Sequence, residues 1–170
     1  MELRQATPAD ATAIRELTRT AYAKWVPLIG REPKPMTANY DEAVARHRFD
    51  LLYVDGTLAA LIETIREPDH LLVENVAVSP SFQGRGLGRK LMAHAETLAR
   101  ELGFDTIRLY TNQRFVENIA LYRKLGYREI RLYTNQRFVE NIALYRKLGY
   151  GIDREEVIPA GVVTHMSKTL

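Results

Sequence analysis

Residues Ile107 to Tyr127 read IRLYTNQRFVENIALYRKLGY, and residues Ile130 to Tyr150 repeat them letter for letter. Only Arg128 and Glu129 stand between the copies. Identical segments have identical intrinsic propensities, so only their surroundings can give them different places in a fold. A domain with one slot for this unit must therefore put the other copy elsewhere. Repeat arrays avoid the conflict by stacking about three or more units on a continuous core. Two copies at the end of a non-repetitive chain do not make such an array. The pattern fits duplication, recent or engineered, of one strand–helix unit in a parent domain that needs a single copy. Residues 1–170 are expected to form one domain containing the tandem repeat 107–127/130–150.

The remaining composition narrows the function classes. Apolar residues make up 46% of the chain and charged residues 26%, which suits a globular protein. Cysteine is absent, so there is no disulfide framework and no thiol nucleophile or ligand. His47, His70, His94 and His165 show no metal-ligand spacing, and no metal is expected. Met1-Glu2-Leu3-Arg4 lacks the apolar core of a signal peptide. No apolar run approaches the roughly 20 residues that span a bilayer. The expectation is a cytoplasmic protein with no membrane partner. The net charge is +3. The second copy carries Arg131, Arg137, Arg146 and Lys147 against Glu140, which accounts for all of it. The basicity comes from repetition and is weak evidence for nucleic acid; no nucleic-acid partner is expected.

Hydrophobic periodicity and breakers set the expected elements. Leu3 to Gln5 reads as a strand. Thr7-Pro8-Ala9-Asp10 reads as a helix start with Asp10 reaching back. That helix is expected to run to about Trp25, with Ile14, Leu17 and Tyr22 on one face. Val26 to Met36 holds three prolines and a glycine and reads as a loop. Thr37 reads as the cap of a short helix through Arg46. Leu51–Val54, Asp55-Gly56 and Leu58–Ile65 read as a β-hairpin. Leu71–Val78 reads as a strand and Arg89–Leu102 as a helix ended by Gly103. Thr106–Tyr110 and Gln113–Leu125 read as strand and helix, followed by the second copy. Glu156–Ile158 and Val162–Met166 read as a terminal hairpin. This order implies an α/β fold with a mixed sheet and helices on both faces.

The most informative stretch is Ser79 to Lys90, with Gly84, Gly86 and Gly88 at alternate positions between a strand and a helix. Glycines let backbone N–H groups converge and a ligand approach closely. The helix start adds unpaired N–H groups and the positive end of its dipole. Arg85, Arg89 and Lys90 add charge. A diphosphate fits such a site. A Walker loop requires a different spacing, and the dinucleotide fingerprint wants a glycine where Arg89 stands.

Gln83-x-x-Gly86-x-Gly88 resembles the coenzyme A signature of the GNAT superfamily of N-acyltransferases. Glu74-Asn75-Val76-Ala77-Val78-Ser79-Pro80 resembles that family's fourth strand. Thr111-Asn112 and Glu117 to Tyr127 resemble its later strand end and helix. The resemblance implies a GNAT-like fold, a central, mostly antiparallel sheet with an inserted duplicate unit. It also implies acetyl-CoA as cofactor and a small-molecule or peptide amine as acceptor. It places the cofactor on Val76, Ala77, Val78, Gln83, Gly84, Arg85, Gly86, Leu87, Gly88, Arg89, Lys90 and Asn118. Trp25, Arg31 and Met36 fall where the family's acceptor loop lies, or they simply pack that loop.

The catalytic candidates are Glu74, Tyr122 and Tyr145. An amine must be neutral to attack, and a lysine amine has a pKa of about 10.4, so some group must take its proton. Glu74 stands on the strand expected to carry the thioester, or it is an ordinary solvated carboxylate. Tyr122, or its copy Tyr145, is the candidate donor to the leaving thiolate; otherwise Tyr122 is a core aromatic beside Phe115 and Ile119. The resemblance implies direct attack in a ternary complex. The alternative is a non-catalytic acyl-CoA-binding or regulatory module. The first copy keeps its short connection to the preceding helix and is assigned the native slot. The displaced copy could extend the sheet, pack on its own domain, or swap into a second chain as a homodimer.

Overall fold

The computed structural model describes residues 1–112, 120–121, 124–125, 131–135, 151–158 and 161–167. They form two units, 1–108 and 109–170.

In the first unit, β1 (Glu2–Gln5), β2 (Arg48–Val54), β3 (Thr57–Arg66) and β4 (Leu71–Val78) pair antiparallel in chain order. Asp55 and Gly56, with φ of 50° and 77°, make the β2–β3 turn. Positive φ at both central residues matches the right-handed twist of the strands it joins. The helices are α1 (Ala11–Tyr22), α2 (Val26–Ile29), α3 (Lys34–Thr37), α4 (Tyr40–Arg46) and α5 (Leu87–Glu101).

Cross-strand pairs show which helix covers which face. Asp50 pairs with Ile62, and His94 of α5 reaches Asp50 Oδ2 at 3.2 Å. Glu63, on the opposite face, pairs with Asn75, and Tyr22 of α1 reaches Asn75. Covered from both sides, β3 is buried continuously from Ala59 to Thr64. On α5 the expected stripe, Leu91, Met92, Ala95, Leu98 and Ala99, is buried. Leu71, Leu98 and Ala99 form a cluster with Leu102, Phe104 and Ile107. The first residue of the first copy is therefore seated against α5.

Three expectations change in detail. Val26–Met36 holds the short helices α2 and α3 rather than loop alone. Pro27 and Pro35 stand in their first turns, where a missing N–H costs nothing. Asn39, not Thr37, precedes α4; Thr37 ends α3, and extended Ala38 separates the two. α5 begins at Leu87, two residues ahead of Arg89, because Gly86 already sets its start.

In the second unit, β5 (Ile107–Asn112), which begins in the first, pairs in parallel with β6 (Arg131–Asn135). β6 pairs antiparallel with β8 (Gly161–Ser167), and β8 with β7 (Gly151–Ile158). β5 and β6 belong to the two copies, so the duplicate extends a sheet. Tyr110 pairs with Arg131, whose counterpart in the first copy is Arg108. The offset is two residues, which preserves the faces of a strand. Parallel neighbours need a crossover of about a dozen residues, and residues 113–130 exceed that length. Ala120, Leu121 and Lys124 are helical. The Leu125 N–H donates to the Leu121 carbonyl at 3.1 Å, and the rest of the two expected helices lies outside the described residues. The terminal hairpin is longer than expected, running from the Gly151–Ser167 pair to the Ile158–Gly161 pair.

The chain entry into α1 is fixed by charge. Arg4 grips Asp10 through two bonds of 2.7 and 3.0 Å and also reaches the Tyr53 hydroxyl at 2.9 Å. The Thr7 N–H donates to Asp10 at 2.7 Å. Arg4 first, and Thr7 with it, hold the Asp10 carboxyl well below its ordinary value. A lowered folded value gives stability that is present above the unfolded pKa, about 3.9, and is lost as pH falls below it. Asp10→Asn is therefore expected to lower the Tm at neutral pH, with the gap to the parent closing on acidification. A gap that stays constant down to about pH 3 in thermal melts would exclude the charge pair as its source.

Candidate active site

The pairing of β4 with β3 slips by one residue. Glu63 opposes Asn75 and Thr64 opposes Val73, leaving Glu74 as an extra residue in β4. Such a bulge re-aims side chains. In a regular strand Val73 and Asn75 would share a face. Here Thr64 and Val73 fall on the α5 face, whereas Asn75 faces α1. Glu74 joins Asn75 on that side, where Lys34 of α3 places Nζ 3.3 Å from its Oε1. Two consecutive polar side chains thus meet one face.

Their surroundings differ. Asn75 is 3% exposed and tied down: the Tyr22 hydroxyl donates to Oδ1 at 2.9 Å, and Nδ2 donates to the Tyr40 hydroxyl at 3.4 Å. Tyr40 in turn donates to the Pro35 carbonyl at 2.7 Å. Burial pushes the Tyr40 phenol up to about 12, so it stays a neutral donor. Glu63 is also buried and sits 2.6 Å from His47 Nδ1. Burial raises its carboxyl above the ordinary value, with His47 opposing that shift. The Glu74 side chain keeps 27% of its surface exposed. Glu74 is thus the carboxylate of this group open to solvent.

β4 leads directly into the glycine loop. The Ser79 N–H donates to the Ala59 carbonyl at 2.9 Å, holding the loop start against β3. Gln83 Nε2 donates back to the Val78 carbonyl at 3.1 Å. Gly84 and Gly86 then take φ of 77° and 75°. A Cβ at either would meet nothing within 4 Å. Glycine is required there by backbone conformation, since an L side chain in that region costs about 1–2 kcal/mol. The open space is what a close-approaching ligand needs. Gly88 lies inside the first turn of α5 rather than in the loop, so two glycines, not three, shape the turn. The Lys90 N–H closes that turn onto the Gly86 carbonyl at 3.1 Å; the N–H groups ahead of it are the orphan donors of a helix start. Arg85, Arg89 and Lys90 are exposed, with Arg85 over the Phe82 ring at 5.0 Å. Leu87 packs into the core, so only its backbone faces a ligand. Ala77 is buried, while Val76 and Val78 are half-buried.

Asn118, Tyr122 and Tyr145 lie outside the described residues. Trp25 and Met36 are buried and Arg31 is exposed. Residues that the sequence did not assign to the site complete the group: Tyr22, Lys34, Tyr40, His47, Glu63 and Asn75. They come from separate segments, so spacing could not assemble them. The readable signal was Glu63 and Asn75, polar residues inside otherwise apolar runs. Among the described residues no group of His, Asp and Glu is placed to hold a metal ion, and no helix is long and apolar enough to cross a membrane.

The Tyr22–Asn75 bond can be tested directly. Tyr22→Phe leaves a buried amide oxygen without its donor, which costs about 1–3 kcal/mol. Urea denaturation should show that loss at an unchanged m-value. An unshifted midpoint would mean that the bond does not fix Asn75.

Residues 12–127 match the family model described as Acetyltransferase (GNAT) family, and the match ends on the last residue of the first copy. Over 83 residues the chain is 30% identical to the "Uncharacterized N-acetyltransferase YvbK" of Bacillus subtilis, covering 48% of this chain and 54% of that protein. Over 56 residues it is 41% identical to N-alpha-acetyltransferase 80 of Mus musculus, covering 33% of this chain and 18% of that one. The chain thus spans about half or less of the length of these relatives. The solved structure of aminoglycoside N-acetyltransferase AAC(6')-Iy in complex with CoA matches with a TM-score of 0.58 at 17% identity, over 74% of this chain and 86% of that one, a likeness of fold. With well over half of its length matched by the family model, the chain belongs to the GNAT acetyltransferase family.

Proposed function

We propose that the chain moves an acetyl group from acetyl-CoA to an amine by direct attack within a ternary complex, residues 1–170 acting as one acyltransferase domain. The observation that carries this reading is the continuity of β4. Within a few residues it passes from a re-aimed, partly open carboxylate at Glu74 to an open glycine turn at a helix start.

In this reading the diphosphate of the donor is held by the N–H groups of Gly84 to Gly88 and the helix start behind them. Arg85, Arg89 and Lys90 supply charge, and Gln83 braces the turn from its bond to Val78. The backbone of Val76, Ala77 and Val78 lines the donor's arm and offers N–H groups to the carbonyl oxygen as it gains charge. Asn118 contributes to the same arm. Glu74 takes the proton that the acceptor amine must lose. Tyr122, or Tyr145 in the second copy, returns a proton to the leaving sulfur; a phenol of pKa about 10 can serve. The acceptor is a small-molecule or peptide amine.

Calorimetric titration should show acetyl-CoA binding that Gly86→Glu abolishes, because the variant puts a strained, negative side chain where the diphosphate belongs. Undiminished binding by that variant would overturn the site. Binding without turnover on any amine would make the chain an acyl-CoA-binding module instead.

The role of Glu74 has a separate signature. Glu74→Gln is expected to lower kcat/KM by about 10²-fold or more near neutral pH. The loss should shrink as pH rises toward the amine's own pKa of about 10.4, where the amine needs no base. A loss that is the same at every pH would remove Glu74 from proton transfer.

A further inference from the structure

Lys34 opens α3, a single turn set between Pro33 and Pro35. Its side chain is 85% exposed, yet its Nζ rests 3.3 Å from Oε1 of Glu74. The lysine reaches in from solvent and delivers a primary amine to the carboxylate that the bulge turns toward this face. An external acceptor would have to bring the same group to the same atom. Two other described lysines are held differently. Lys24 lies over the Trp25 ring at 4.5 Å, and Lys90 Nζ lies 3.1 Å from Met1 Sδ.

We propose that Lys34 is itself an acceptor, and that the chain acetylates it in cis. This rests on the reading of the chain as an acetyl-CoA-dependent transferase with Glu74 as its base. The Lys34 ammonium gives one proton to Glu74 and becomes a neutral amine. Its lone pair forms the new N–C bond to the acyl carbon, and the C–S bond breaks with its electrons on sulfur. The second proton leaving nitrogen ends on sulfur. The products are an N-acetyl-lysine and the free thiol of CoA, and the proton on Glu74 returns to solvent. Tethering supplies the proximity that a bimolecular encounter lacks. The amide carries no charge, so the ion pair to Glu74 is lost. The carboxylate then stands open to the next amine, and the first turnover in cis primes the site for acceptors in trans.

The test is peptide mass spectrometry of the full chain incubated with isotopically labelled acetyl-CoA, with Lys24 reporting background chemical acetylation. Lys34 should be labelled at least tenfold faster than Lys24, at a rate unchanged by tenfold dilution of the protein. The excess should vanish in Glu74→Gln and in Gly86→Glu. Lys34→Arg should still bind acetyl-CoA in calorimetry, which shows that the site survives loss of the amine. Labelling of Lys34 no faster than Lys24, in protein that binds acetyl-CoA, would overturn the proposal and leave the proposed function standing. A labelling rate that falls on dilution would overturn transfer in cis. Absence of acetyl-CoA binding would overturn the proposed function and this proposal with it.

Discussion

A single inserted residue in β4 decides what the sheet presents. Without it, Val73 and Asn75 would share a face and Glu74 would turn to the opposite one. With it, Glu74 and Asn75 both leave the α5 side and meet the residues of α1, α3 and α4. The same strand then runs without a break into Ser79, whose N–H anchors the glycine turn on β3. Carboxylate and turn are therefore joined by one strand and the short, anchored segment Ser79–Gln83. The rest of the first unit holds that strand still. α5 packs Leu98 and Ala99 against Leu71, and Tyr22 and Tyr40 fix Asn75.

The polar groups on the α1 face are tolerated because they satisfy one another. A buried polar group without a partner costs more than a made hydrogen bond returns. Asn75 both donates and accepts in the chain Tyr22–Asn75–Tyr40–Pro35. Glu63 is buried and paired with His47. The Glu74–Lys34 pair is reachable from solvent, an exposed ion pair of the kind that contributes little to stability. A weak, open pair at the edge of a tightly bonded network can be broken without loosening the sheet. The network gives rigidity, and the pair gives access.

The duplicated segment shows how context settles what propensity leaves open. Both copies supply a strand, as identical sequences should. They do not compete for one position. The first copy follows α5 through a short connection and seats Ile107 on the Leu71 cluster. The second lies parallel to the first at an offset of two residues and takes the terminal hairpin on its other edge. The extra strand's backbone groups are paired on both sides, which removes the exposed edge that an inserted strand would otherwise present.

Much of this protein is written in its sequence. The apolar strand run of Leu71–Val78, the stripe of α5, the Asp-Gly turn and the glycine turn ahead of a helix are local patterns. Local sterics and periodicity are enough to specify them. The glycine turn proposed to hold a diphosphate was legible for the same reason, because it is built from backbone and needs only a strand, two positive-φ glycines and a helix start. The carboxylate's setting was not legible in that way. A bulge is a disagreement between two strands about count, and neither strand records it alone. Tyr22, Lys34, Tyr40, His47 and Glu63 lie at wide separations in the chain, and their grouping around β4 required both helical layers to be packed. Short prolines-first helices also hid in a stretch whose composition reads as loop, because a proline breaks a helix interior yet suits its first turn. Sequence alone determined the elements and the backbone-built turn, since those follow from contacts within a few residues. Only the tertiary structure decided which side chains share a face, because that depends on register between strands and on burial, and both are properties of pairs of segments.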